Sequence, residues 1–567
     1  MQESSWDVTS TEEQTGTRSS FHCWPSSRLE ATRIVAPLGT LYTPLKPCPN
    51  YSPPSILQYD PIRCHTPTCH AILNPYCQID FMSKLWVCPF CFTRNHFPQH
   101  YAENISETNL PAELIPQYVT VEYELQALPP SQSAPAFLFL LDTCNPLEEL
   151  VQLADSIQQV MQLLPDDARV GLITFGTNLN VHELGFDGLQ KSYVLRGNKE
   201  YTSANMGELL GCSMGVGMAG SNPAPPPPAN GHHHPQQQQR MNPAQSIREQ
   251  ILARFLLPVS ECTLTLEAVL EDLRKDPWPV PPEKRVARST GAALSAALAM
   301  LEVALPTSGA RVMLFTGGPC TSGPGAVVSR MKAEVMRSHQ DIAQNKEPLL
   351  APASEFYAKL AKTGKGKSQQ QNQVYVSSTS YHVVDVFACS LEQVGLLEMK
   401  ELVNGTGGLM VMGDSFGQSV FKESLRRVFK RFPDDSPDAG HLQMAFNGSL
   451  EVLTSREFKV SGIIGPVSSL QRTGPNVSDV QIGVGGTSAW SLGGFDSQTT
   501  YALYFDVTNP GTSTLPQGKR RYMQLLTRYQ HSNSRTRLRC TTLCGPWHND
   551  FNDMSPVKYS FDQEAAA

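Results

Sequence analysis

Two short cysteine pairs constrain this chain more than any other feature. Cys64-x4-Cys69 and Cys88-x2-Cys91 are separated by 18 residues, with His65 inside the first pair. Such pairs present two sulfurs to one ion, and Zn²⁺ takes four thiolates in a tetrahedron. The intervening "AILNPYCQIDFMSKLWV" carries β-branched and aromatic residues among polar ones, the composition of a returning hairpin. Pro89 within "CPFC" suits a tight knuckle turn. Disulfides are disfavoured in a reducing compartment, and chance clustering in this order is improbable. The spacing therefore predicts a zinc ribbon held by Cys64, Cys69, Cys88 and Cys91, with His65 and Cys77 as bystanders. Four sulfur ligands leave no position for a reactive water, so the predicted zinc is structural.

The compartment follows from the rest of the chain. The N-terminus, "MQESSWDVTSTEEQTGTRSS", has no apolar stretch of the secretory type. Nowhere does the sequence approach the ~18 uninterrupted apolar residues of a membrane span. A soluble cytosolic or nuclear protein is expected, in which most of the 14 cysteines are small buried hydrophobes, Cys540 and Cys544 included. Four Asn-x-Ser/Thr matches, at Asn104, Asn404, Asn447 and Asn476, carry no weight in that setting. A length of 567 residues implies two to four domains.

From about residue 135 strands and helices alternate. "AFLFLLD", "ARVGLITFG", "RVMLFTGG" and "YHVVDVFAC" are continuous apolar runs of the kind buried on both faces of a parallel sheet. The stripe after Pro146 and the segment "GAALSAALAMLEVAL" are helical, giving a doubly wound α/β trunk. The trunk resembles a von Willebrand factor A domain, whose metal-binding members carry Asp-x-Ser-x-Ser, a loop Thr and a strand-terminal Asp. Here Asp142 and Thr290 remain, while Cys144, Pro146 and Gly317 replace the other donors. Mg²⁺ requires hard oxygen ligands, so no A-type metal site is expected.

Other attractive motifs fail on context. "AKTGKGKS" (361–368) resembles a phosphate-binding loop but lacks the first glycine, a preceding strand and a following amphipathic helix. "IGVGGTSAW" reads as β-turn glycines, and no nucleophile–base or paired-carboxylate constellation can be picked out by spacing. Low-complexity inserts near 213–245 and 362–379 are expected to be disordered; His232–His234 in the first reflects composition.

The last third opens on apolar residues at helical spacing from Phe416 to Phe432, with Asp414 or Ser415 as the expected cap. Short strands at roughly ten-residue spacing follow, predicting a β-sandwich. Residues 511–540 hold Lys519, Arg520, Arg521, Arg528, Arg535, Arg537 and Arg539 and no acidic residue, on a chain of net charge −7. Such a strip is usually a solvated face, and it is also what phosphate-bearing partners require.

Taken together, "WPSSRLEATRIVAPLGTLYTPLK", "LNPYCQID", "LWVCPFC", "VGLITFGTNLNVHELG", "LEQVGLLEMKELVNGTGGLMVMGDSF", "TSREFKVSGIIGP" and "SFDQEAAA" resemble the GTPase-activating inner-layer subunits of coat protein complex II, COPII. The resemblance implies a multidomain α/β plus β protein. Residues 1–60 would join the β-sandwich and 61–101 form the zinc ribbon. The A-like trunk would take 130–400, the sandwich 404–545, and 546–567 would open an all-helical domain.

It also implies a scaffold rather than an enzyme, with no catalytic residue of its own. Its partners would be the coat's Arf-related small GTPase in the GTP form, the cargo-binding subunit, the outer-cage subunits and an acidic membrane surface. The seven-residue strip would face that membrane on the cytosolic side of the endoplasmic reticulum. The family activates its GTPase with an arginine inserted in trans, from a region that would follow residue 567. The chain is therefore read as truncated, with activation expected to be lost. A cargo-binding paralogue is the alternative within the fold; "PSSRLEATR" and the lack of a long Pro-rich N-terminal region favour the GTPase-activating type. A zinc-ribbon nucleic-acid binder is the alternative outside it. Nucleic acid is not expected, because residues 62–97 carry only Arg63, Lys84 and Arg94 as fixed cations.

Overall fold

The computed structural model describes residues 8–48, 55–125, 134–212, 243–363, 382–510 and 515–567, apart from 187, 307, 435, 437 and 551. The 213–245 insert, bar its last three residues, and the tail of the "AKTGKGKS" segment lie outside the described residues, as does most of the 362–379 insert. Two compact units emerge: one of residues 135–402 and 410–427, the other of 1–134, 403–409 and 428–567.

The first unit is built on one twisted sheet. Ala136–Asp142 pairs in parallel with Arg169–Phe175 on one side and Ala310–Thr316 on the other; His382–Cys389 and Met410–Gly413 extend the parallel order. Asn178–His182 and Ser192–Arg196 add an antiparallel hairpin at the far edge. Every residue of the Ala136–Asp142, Ala310–Thr316 and His382–Cys389 strands is buried, the signature of a sheet covered on both faces. Helix Thr290–Ala304 is buried around almost its whole circumference, and its alanines allow that close packing. The helix expected from Phe416 begins instead at Ser419. Neither Asp414 nor Ser415 caps it: Ser415 donates to Glu149 Oε1 at 2.7 Å, and Glu149 also receives the Phe416 N–H.

The second unit is a two-sheet sandwich with a small sheet attached. One sheet has the order Thr17–Ser19, Gly39–Tyr42, Tyr501–Val507, Phe458–Ile464. The other runs Ser468–Ser469, Ala489–Asp496, Met444–Thr454, Arg520–His531, Thr536–His548, with Trp24–Pro25 and Thr120–Glu124 both pairing with the last strand. Residues from the chain's beginning thus complete both sheets. Trp24, Tyr42, Trp490, Tyr501 and Phe458 fill the core between them.

Strands Arg520–His531 and Thr536–His548 set the register that matters for function. Arg521 lies opposite Gly545, Tyr529 opposite Arg537, and Thr527 opposite Arg539. Successive side chains alternate between faces, so odd-numbered residues of both strands share one face. That face, with Met523, Leu525 and Tyr529, lines the sandwich core. The even face, with Leu526, Leu538 and Cys540, packs on a second core formed with the 61–101 segment.

Candidate metal centre and the surfaces around it

The second core positions the four cysteines. Gln78–Asp80, Leu85–Val87 and Arg94–His96 form a three-stranded antiparallel sheet whose Trp86 is wholly buried. Two loops rise from it. In the first, the Cys64 N–H donates to Ala71 O at 2.8 Å and Cys69 N–H to Thr66 O at 3.0 Å, with His70 turning at φ 51°. In the second, Cys88 N–H donates to Thr93 O and Phe92 N–H to Cys88 O, with Phe92 at φ 63°. These left-handed turns fold the chain back so that both sulfurs of a pair face the same point.

Cys64 Sγ lies 3.5 Å from Cys91 Sγ and Cys69 Sγ 3.7 Å from Cys88 Sγ, and all four sulfurs fall within 4.8 Å of one another. A tetrahedron with ~2.3 Å Zn–S bonds has edges of about 3.8 Å, so the two shortest sulfur–sulfur spacings match those of a zinc site. Thr66 Oγ1 lies 3.6 Å from the sulfurs of both Cys64 and Cys91 and donates to Thr93 Oγ1 at 2.9 Å, tying the two loops together. Without an ion the Cys88 thiol is pushed up by its hydrogen bond to Cys69 and by burial. Cys91 is opposed by burial yet drawn down to about 6 by hydrogen bonds from Thr93, Thr66 and Cys64.

His65 is exposed and takes no place in the shell. Cys77 is buried outside it, its thiol pushed up by burial. Two of the three ribbon cations turn inward to main-chain carbonyls, Arg63 to His70 O and Lys84 to Ile105 O, which further weakens a nucleic-acid reading.

In the trunk, the place of an A-type metal is taken by a side chain. Buried Asp142 receives Arg288 Nε at 2.6 Å, Gly317 N at 3.0 Å, Thr316 Oγ1 at 3.1 Å and Cys144 N at 2.9 Å. The guanidinium supplies the positive charge that a cation would have supplied. A Cβ at 317 would lie 1.9 Å from Asn145 Oδ1, so a carboxylate cannot be restored there without moving Asn145. Arg288 gave no signal in the sequence motifs; only the fold brings it to Asp142.

The seven-residue basic strip does not form one face. Arg521, Arg537 and Arg539 belong to the odd, core-facing set. Arg537 is buried and paired with Asp438 at 2.6 and 2.8 Å. Arg539 donates to Pro44 O, Lys46 O and Glu122, tying down the segment before the ribbon. Arg521 is buried against Trp24. Reading these three as membrane-facing counted charges without the two-residue alternation of a strand. Lys519 pairs with Glu457, Arg520 reaches Cys544 Sγ at 3.7 Å, and half-exposed Arg535 lies 3.7 Å from Glu124. Arg528, on the even face, is partly buried.

A four-cysteine ribbon, a doubly wound trunk and a two-sheet sandwich together define the class of protein by architecture. The Sec23/Sec24 trunk domain matches residues 132–429, the Sec23/Sec24 beta-sandwich domain residues 445–548, and the Sec23/Sec24 zinc finger residues 61–101. The chain belongs to the Sec23/Sec24 family. Its fold is similar to that of the human COPII-coat protein Sec24c, with a TM-score of 0.64 at 16% identity. That match covers 97% of this chain and 62% of the Sec24c chain. A von Willebrand factor type A protein from Catenulispora acidiphila is a more distant neighbour, at TM-score 0.37 and 9% identity, covering 74% of this chain and 68% of that one. The zinc of this family is structural, and Cys64, Cys69, Cys88 and Cys91 are the residues that would hold it.

Proposed function

We propose that this chain is an inner-layer COPII coat subunit of the GTPase-activating type, acting in vesicle budding from the endoplasmic reticulum. In this reading it binds the coat's Arf-related small GTPase in its GTP form, the cargo-binding subunit and the outer-cage subunits. The observation that carries the reading is the collinear run of family motifs, of which "WPSSRLEATR" favours the GTPase-activating branch over the cargo-binding one. That segment is built into the sandwich: Trp24 sits in the core, Ser26, Ser27 and Glu30 are buried, and Arg28–Arg33 is a helix. Association with the bilayer would be peripheral; among the described residues no helix is long and apolar enough to cross a membrane.

Pull-down of residues 1–567 with the GTPase, loaded with a GTP analogue or with GDP, and with each inner-coat paralogue tests this. Retention of the GTP-analogue form and of the cargo-binding subunit is the expected result. Retention of the GTPase-activating subunit instead would assign the chain to the cargo-binding branch.

A further inference from the structure

Arg521 is an oddity among the buried arginines of this protein. Arg288, Arg311, Arg337, Arg537 and Arg539 each reach a carboxylate. Arg521 is 9% exposed, and its recorded hydrogen bonds go to two main-chain carbonyls, from Nη1 to Pro546 O at 2.6 Å and from Nη2 to His22 O at 2.7 Å. Its guanidinium stacks 4.3 Å over the Trp24 ring. Among the described residues it forms no ion pair with an acidic side chain. Burial accordingly draws its pKa down to about 10. A buried charge without a counter-charge is costly, and carbonyl dipoles offset only part of that cost.

The space beside it mixes hydroxyl-bearing and apolar side chains, Trp24, Met523 and Leu543 among the latter. A cavity of about 170 Å³ is lined by Arg521 together with Thr15, Thr17, Ser19, Thr40 and Thr542. The hydroxyls are paired with one another: Thr15 Oγ1 lies 2.6 Å from Thr17 Oγ1, and Ser19 Oγ 2.9 Å from Thr40 Oγ1. The Ser19–Thr40 pair uses one proton internally and leaves the other hydroxyl's proton to turn toward a guest. Gly545 lets the guanidinium lie against the strand, since a Cβ there would stand 2.3 Å from Arg521 Cζ. A structural staple between the Trp24 and Thr536–His548 strands explains the stacking and the two carbonyl bonds. It explains neither the missing counter-charge nor a hydroxyl-lined cavity next to it.

We infer that this cavity is a binding site for a small oxyanion of the phosphate class, with Arg521 as its charge partner and the Ser19–Thr40 hydroxyls as donors. The class follows from the donor set: a guanidinium and a hydroxyl pair, with no acidic side chain lining the cavity. Neither the coat role nor the zinc centre is needed for the inference.

The test is titration of inorganic phosphate into zinc-loaded protein at constant ionic strength, followed by calorimetry and by melting temperature, with chloride as the reference salt. Saturable binding and a rise in Tm beyond that in chloride are expected. Arg521→Met should weaken phosphate binding by about tenfold or more, as loss of a charge-assisted hydrogen bond does. Because that change also removes the stack on Trp24, the double variant Ser19→Ala/Thr40→Val is measured beside it. It deletes both members of one hydroxyl pair, so no polar partner is left stranded, and it should lower phosphate affinity while zinc content and Tm in chloride stay at wild-type values. A rise in Tm equal in chloride and phosphate would overturn the inference. So would phosphate affinity unchanged in the double variant.

Discussion

The side-chain amide of Gln524 closes on the backbone of Ile72 from both sides. Its Oε1 accepts the Ile72 N–H at 2.8 Å and its Nε2 donates to Ile72 O at 3.0 Å, while Nε2 also reaches Thr542 Oγ1 at 3.0 Å. Both residues are fully buried. The zinc ribbon is thereby fixed in register on the even face of the sandwich strand, 452 residues away in sequence. Gln524→Leu would strand the buried Ile72 N–H, at a cost of about 1–3 kcal/mol, while Ile72 O keeps its hydrogen bond from Asn74 Nδ2 at 2.9 Å. Denaturant unfolding should show a loss of about 1–3 kcal/mol by that same rule, with zinc content unchanged because no ligand moves.

Zinc is expected at one ion per chain. Cys88→Ser removes a wholly buried ligand, and the ribbon core around Trp86 should loosen. Metal analysis and tryptophan fluorescence check both points. Protein purified without chelator yet lacking zinc would contradict the four-thiolate shell.

Arg288 and Asp142 give a second test, in the trunk. Arg288→Met leaves a buried carboxylate without its partner, which typically costs about 3–5 kcal/mol. Magnesium should leave the melting temperature of the wild-type protein unchanged, because Asp142 is already satisfied by Arg288, Thr316, Gly317 and Cys144. A magnesium-dependent shift would contradict the substitution of a guanidinium for the ion.

For membranes, we propose that acidic liposomes bind weakly and that salt weakens the binding. The structure separates two kinds of arginine that the sequence lumps together. Arg520 and Arg535 are exposed, so Arg520→Gln/Arg535→Gln should lower liposome binding by about 1 kcal/mol per charge without affecting folding. Arg537→Gln should do the reverse, destabilising the sandwich through Asp438. Liposome sedimentation and thermal melts of the same variants distinguish the two.

Stability should fall as the medium is acidified from neutrality. Burial lowers the pKa of His182, His382 and His531 to about 4 each. In the unfolded chain each titrates near 6.5, so below about pH 6.5 the unfolded state takes up protons the folded state refuses. The stability these neutral rings contribute is complete above that value. It drains at up to about 1.4 kcal/mol per pH unit per histidine until the folded value is reached. Melting curves between pH 7 and pH 4.5 should show this, with a shallower slope in His382→Phe.

Local chemistry was legible in the sequence. Cys64, Cys69, Cys88 and Cys91 could be assigned because zinc demands short spacings that few other functions impose. The parallel strands could be placed because burial on both faces leaves unbroken apolar runs such as "AFLFLLD". The departure of Cys144, Pro146 and Gly317 from an A-type ligand set could be read directly, since ligand chemistry is carried by residue type.

Tertiary structure alone decided what each charge does. The basic strip dissolved into core-facing Arg521, Arg537 and Arg539 and outward Arg520 and Arg535, because register and sheet pairing assign the faces. The partners of the buried charges come from far along the chain: Arg288 from a helix start for Asp142, Asp438 from a loop for Arg537. The same holds for Ser19, Thr40 and Arg521, which share one cavity only because residues 17–42 complete a sandwich whose other strands, Thr120–Glu124 apart, lie beyond residue 440. Spacing along a chain records which ligands one loop can offer; long-range pairing, driven by burial, determines which of them meet.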